Sequence, residues 1–173
     1  LILFLALSLT KVSGAEVNIY SHRQPFLINP FLENFTEETG IKTNVVYATK
    51  GLAQRLKAEG KNSPADVILT VDIGRLYIYD DLDLLASIDS DLLDKNIPAN
   101  LKSPENKWFA LSKRSRIIVT SKERVGKGQI TKIEDLADQK WKGKICSRPG
   151  SHVYNRALMA SLILSLGEKA AEE

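Results

Sequence analysis

Three short stretches gather side chains that could hold a small charged ligand. Tyr20-Ser21-His22-Arg23-Gln24-Pro25 packs an imidazole, a guanidinium and an amide into one tight turn, a composition that equally suits an ordinary surface turn. Arg114 and Arg116 alternate with Ser115, and in an extended strand that spacing sets both guanidiniums on one side. Two arginines beside a buried strand need acids or a bound anion, because an unpaired buried charge is costly. Internal salt bridges meet that need as well as a ligand does. Ser151, His152 and Tyr154 stand where a long helical pattern begins, and the free amides of a helix start favour an anion or an ionised oxygen.

Other polar residues read as structural. Asp66 and Asp72 flank an apolar run and suit turn caps better than metal ligands. Tyr77 and Tyr79, two apart on a helix, point in different directions, which argues for packing. His22 and His152 have no third imidazole to complete a zinc site. There is no Gly-x-Gly-x-x-Gly after the first strand, no Walker loop and no nucleophile elbow, so the usual α/β catalytic signatures are missing and an exported enzyme is the weaker reading.

The elements that position these residues alternate. Val17 to Tyr20 reads as a strand and Phe26 to Thr39 as a helix, with Phe31 and Phe35 four apart and Gly40 as its stop. Lys42 to Tyr47 is a second strand, Gly51 to Glu59 a second helix ending at Gly60, and Asp66 to Val71 a third strand. This order predicts a parallel α/β sheet with right-handed crossovers. Shorter helices are expected over 72–79 and 91–95. Trp108 to Leu111 and Ser115 to Thr120 read as strands, Thr131 and Glu134 have capping-box spacing for a helix through Ala137, and Lys144 to Ser147 reads as a strand before a helix from Tyr154 to Glu173. In open parallel sheets ligands gather at the carboxyl ends of strands. That rule selects Ser21 to Pro25, Val71 to Arg75 and Ser147 to Asn155.

Composition narrows the class. Of 173 residues 43% are hydrophobic and 26% charged, enough apolar material for a globular core and too much for a disordered chain. The 24 Lys plus Arg against 21 Asp plus Glu leave too small a surplus to make nucleic acid or an anionic membrane the expected partner. Leu1 to Leu9 is apolar, and Ser13-Gly14-Ala15 has the small residues of a cleavage site, so residues 1–15 read as a signal peptide lacking its first residues. The run is too short to span a bilayer. With the charged finish after Leu166, the reading is of the front of a longer exported protein.

Tyr20 to Leu27, Asn62-Ser63-Pro64-Ala65-Asp66 running into Thr70 to Leu76, Trp108-Phe109 with Arg114-Ser115-Arg116, and Cys146 with Tyr154-Asn155 together resemble the periplasmic ferric-ion-binding proteins of bacterial ABC importers. The resemblance runs from about Val17 onward in the same order. It implies a type II periplasmic binding protein, a two-lobed Venus flytrap with iron in the interlobe cleft, here as the first lobe over 16–110, a crossover strand near the hinge over 111–120 and part of the second lobe over 121–173.

In that family tyrosine phenolates hold the ferric ion, and the position of Tyr154 is one of them. The Tyr-Tyr pair that completes the set lies beyond residue 173. Ferric iron is small, hard and highly charged and prefers anionic oxygen; a phenol ionises near pH ~10, but such a cation can strip its proton at neutral pH. A helix dipole at Tyr154 adds support for the phenolate. Many members carry a His-Tyr pair where this chain has Gln24 and Pro25. A second branch has the Arg-Gln-Pro form and completes its iron with a carbonate-like anion, which implies Arg23, Gln24 and Arg114 as the anion-facing residues. That branch often has Tyr at the position of His22, which leaves His22 to touch iron, to hydrogen-bond the anion or to cap the loop, and of these a place behind the ligands is the favoured expectation. The branch also implies a disulfide between Cys146 and a cysteine further along the chain.

The partners implied are ferric ion as transported ligand and an inner-membrane ABC permease, for a monomeric periplasmic protein without catalytic residues. The rival within the same fold is an oxyanion-binding protein that uses Arg23 and Arg114 without metal.

Overall fold

The computed structural model describes residues 14–172. The signal peptide expected at residues 1–15 therefore lies, apart from Gly14 and Ala15, outside the described residues. The chain divides into two compact units, with the boundary between Leu84 and Leu85.

The first unit is built on strand β1 (Glu16–Ser21), which pairs in parallel with β2 (Lys42–Tyr47) from Glu16 opposite Lys42 to Ser21 opposite Tyr47. On its other side β1 pairs in parallel with β3 (Val67–Leu69), from Ile19 opposite Val67 to Ser21 opposite Leu69. The order is β2-β1-β3. Parallel neighbours need crossover connections, and helices α1 (Pro25–Thr39) and α2 (Leu52–Glu59) supply them. Pro25 opens α1, where its missing N–H and fixed φ suit the first turn. Gly40, at φ 72°, closes the helix with its N–H on the Thr36 carbonyl, a left-handed conformation that glycine adopts without a Cβ clash. Helix α3 (Ile73–Asp81) follows β3, and Asp72 caps it by accepting the Gly74 N–H at 2.9 Å.

Ile19, Tyr20, Ile28, Leu52, Ala53, Leu56 and Tyr79 form the core of this unit. Tyr20 is 1% exposed, yet its hydroxyl is satisfied: it shares the Glu59 carboxylate, 2.8 Å from each oxygen. Glu59 also accepts from Arg55 at 2.7 Å and Ser63 at 2.7 Å, and the Arg55 guanidinium lies 4.8 Å from the Tyr20 ring centroid. The Arg55 hydrogen bond is the main cause holding the Glu59 carboxyl below its ordinary range, while burial pushes the Tyr20 phenol up. On α1 the buried residue is Ile28, whereas Phe31 and Phe35 are exposed.

The second unit contains α4 (Asp91–Asn96), α5 (Val153–Leu166) and α6 (Glu168–Glu172), joined by 3-10 turns and extended segments. Here the structure corrects the sequence reading. Among the described residues the strands expected at 108–111, 115–120 and 144–147 are not formed, and Phe109 makes an isolated antiparallel bridge with Lys102. β-Branched composition favours extended backbone, but a strand is a shared ladder, and among the described residues 108–111 has only that bridge while 115–120 and 144–147 join no ladder. The helix expected through Ala137 is a 3-10 turn, Ile133–Ala137, and Asp135 rather than Glu134 closes its start. Its carboxylate takes the N–H groups of Thr131 (2.7 Å) and Lys132 (3.1 Å) and the Thr131 hydroxyl (2.9 Å). The last helix is two, because Gly167 at φ 83° leaves the helical conformation between them. No helix among the described residues is long and apolar enough to cross a membrane.

Candidate functional site

The first turn is fixed by its neighbours. The His22 N–H donates to the Leu69 carbonyl at 2.8 Å, and the Ala48 N–H donates to the Ser21 carbonyl at 3.1 Å. The Arg23 N–H donates to the Ser21 hydroxyl oxygen at 2.9 Å, and that hydroxyl lies 2.9 Å from the Arg23 carbonyl. His22 is buried, with Nδ1 2.7 Å from the Ala48 carbonyl and Nε2 2.8 Å from the Tyr79 hydroxyl. Both ring nitrogens are occupied. Arg23 is half-buried and Gln24 exposed; neither side chain has a hydrogen-bond or ion-pair partner among the described residues.

Burial is the first cause of a lowered His22 pKa, with the Arg75 charge acting the same way and the Ala48 carbonyl opposing them. In the unfolded chain the imidazole returns to its ordinary 6.5 and binds a proton there that the folded protein excludes. Stability is therefore full above that value and falls as the pH drops from it toward the folded pKa. Urea melts across this window should show the decline, and His22→Gln, which cannot titrate, should lose this part of the slope. Identical pH profiles for parent and variant would exclude a neutral buried His22.

In the second unit Tyr154 is half-buried in the first turn of α5. Its N–H donates to His152 Nδ1 at 3.1 Å, capping the helix, and the two rings meet edge to face at 4.8 Å between centroids. Asn155 Nδ2 donates to the Arg148 carbonyl, which holds the 147–150 loop against the helix start. The phenolic oxygen accepts from Arg114 Nη2 at 2.7 Å, and the same guanidinium lies 5.0 Å from the Tyr154 ring centroid. Two of the residues singled out in the sequence are thus in direct contact. The strand expected to set Arg114 and Arg116 on one side is not formed, however: both lie in an exposed segment that joins no ladder among the described residues. Burial does not force a ligand on these arginines, and Arg114 is tied to Tyr154 across 40 residues instead.

Two contacts of these residues are not anticipated by the sequence reading. Tyr79 is 1% exposed, in keeping with the packing expected of it, and is also bonded to His22, while Tyr77 is 64% exposed and does not pack. Arg148 places its guanidinium 5.9 Å from the Tyr154 ring. Its position, inside the Ser147 to Asn155 loop and before Pro149-Gly150, was the available signal. Asp66 accepts from the Asn18 N–H at 2.8 Å, and Asp72 is the cap of α3, so both are structural. Cys146 is exposed. Among the described residues no group of three His, Cys, Asp or Glu is placed to hold a metal, and a tyrosine-based centre would draw on none of those types.

No family model matches the chain. Iron uptake protein A1 of Synechocystis sp. is 41% identical over 156 residues, covering 90% of this chain and 43% of the relative. The crystal structure of Mannheimia haemolytica ferric iron-binding protein A in an open conformation superposes with a TM-score of 0.81 at 48% identity, over 91% of this chain and 50% of that one. The chain is a homologue of bacterial ferric-iron-binding proteins. A Trichodesmium protein of this group, solved in complex with iron and citrate, matches with a TM-score of 0.82 and 45% identity, over 91% of this chain and 50% of that one. The fold is accordingly that of type II periplasmic binding proteins, and the chain spans about half the length of these relatives.

A phenolic oxygen that already accepts from a guanidinium still has a lone pair to offer, and as a phenolate it would make a charge-assisted bond to Arg114.

Proposed function

We propose that the full-length gene product is an exported solute-binding protein that captures ferric iron through tyrosine phenolates and delivers it to an ABC permease. Tyr154 is the phenolate that this chain contributes. Arg23, Gln24 and Arg114 face a carbonate-like anion that completes the metal's coordination, and His22 stands behind that anion. The contact between Arg114 and the Tyr154 hydroxyl carries this reading, since it joins the one residue assigned to the metal with one assigned to the anion. The names of the relatives, the complex with iron and citrate, and the leader-like first fifteen residues support it.

Calorimetric titration of the full-length gene product tests the proposal. Ferric citrate should bind at one site, and binding should tighten with added bicarbonate, while sulfate or phosphate alone should give no comparable heat. Tight oxyanion binding that ferric ion leaves unchanged would assign the protein to the oxyanion class instead.

A further inference from the structure

One residue, through its backbone and its side chain together, ties the carboxyl ends of the three strands of the first unit. His22 directly follows the central strand β1. Its backbone N–H donates to the Leu69 carbonyl at the end of β3, its Nδ1 meets the Ala48 carbonyl just after β2, and its Nε2 meets the Tyr79 hydroxyl on α3. A carbonyl can only accept, so Nδ1 carries the proton, and Nε2 is left as the acceptor of the Tyr79 O–H. Tyr79 is 1% exposed, and burial pushes its phenol up to about 12, so it remains a donor at neutral pH. Arg75, one turn earlier on α3, donates to the Thr49 carbonyl at 2.8 Å and so grips the same loop beside Ala48. Arg23 follows His22 immediately, its N–H closed onto Ser21.

We propose that Tyr79, acting through Nε2 of His22, is a positioning residue for Arg23 and Gln24. The inference rests on the reading of those two residues as anion-facing. The Tyr79 hydroxyl fixes which imidazole nitrogen is protonated, the protonated nitrogen fixes the ring on Ala48, and the ring fixes the path of the turn that carries the guanidinium and the amide. Without that hydroxyl, Nε2 is a buried acceptor with no donor, and the ring is free to change tautomer or turn away from Ala48. The anion must then order the turn as it binds, and that ordering weakens binding.

The test uses the nitrogen-15-labelled full-length gene product, its Tyr79→Phe variant and the pair His22→Gln and His22→Phe. Histidine ring spectra of the parent without ligand should show His22 protonated at Nδ1. Iron titrations without bicarbonate and at saturating bicarbonate should show that Tyr79→Phe lowers the bicarbonate enhancement of iron affinity about fivefold, the scale of one neutral hydrogen bond. His22→Gln, which keeps a donor and an acceptor, should retain more of the enhancement than His22→Phe. Should Tyr79→Phe fail to fold, the tautomer measurement and the His22 pair carry the test. Proton on Nε2 in the parent, or equal enhancement in parent and Tyr79→Phe, overturns the positioning role. A parent with no bicarbonate enhancement overturns the anion reading on which the role rests, and the ligand-free tautomer spectrum separates that failure from a failure of the His22 and Tyr79 pair.

Discussion

Tyr154→Phe in the full-length gene product is expected to lower ferric affinity at least tenfold, ~1.4 kcal/mol. The substitution keeps the ring, its edge-to-face contact with His152 and its place under Arg114, and removes a single oxygen. That oxygen is the anionic donor a hard trivalent cation prefers, and benzene has no substitute for it. Stability should change little, because Tyr154 is half-buried and the Arg114 donor it would abandon is exposed to water. Competition against citrate measures the affinity, and a urea melt controls for the fold. Equal affinity in parent and variant would remove Tyr154 from the metal.

Arg114→Ala is expected to weaken iron binding about tenfold in bicarbonate buffer, the scale of a hydrogen bond to a charged group. The guanidinium donates to the Tyr154 oxygen at 2.7 Å, so its loss removes both a partner for the phenolate and a cation for the anion. Iron affinity should consequently depend less on bicarbonate in the variant than in the parent. Arg114→Lys should recover only part of the loss, since an ammonium lacks the planar fork that serves two acceptors at once. If parent and Arg114→Ala respond equally to bicarbonate, the arginine belongs to a salt bridge.

The first unit was largely legible from the sequence because its signals are local. Gly40 and Gly60 mark helix ends, Pro25 a helix start, and the β-branched runs at 16–21 and 42–47 pair with each other, so each supplies the ladder the other needs. The second unit was not, because Ser115 to Thr120 carries the composition of a strand without a partner strand among the described residues. Composition cannot report a missing neighbour. The same limit shaped the site. Tyr154 and Arg114 were both selected, yet the argument for Arg114 relied on a buried strand that does not form, and the contact between them spans 40 residues that no spacing rule crosses. Tyr79 reads as packing and is buried, but the hydrogen bond it makes is not legible in the sequence. Only the fold shows that it points at His22, 57 residues away.

The central claim is that Tyr154 gives its phenolate to iron, and the visible absorption spectrum tests it most directly. Ferric ion added to the full-length gene product should produce a phenolate-to-iron charge-transfer band. At equal iron occupancy that band should lose intensity and shift in Tyr154→Phe. A colourless iron-loaded parent, or superimposable spectra from parent and variant at equal occupancy, would contradict the account.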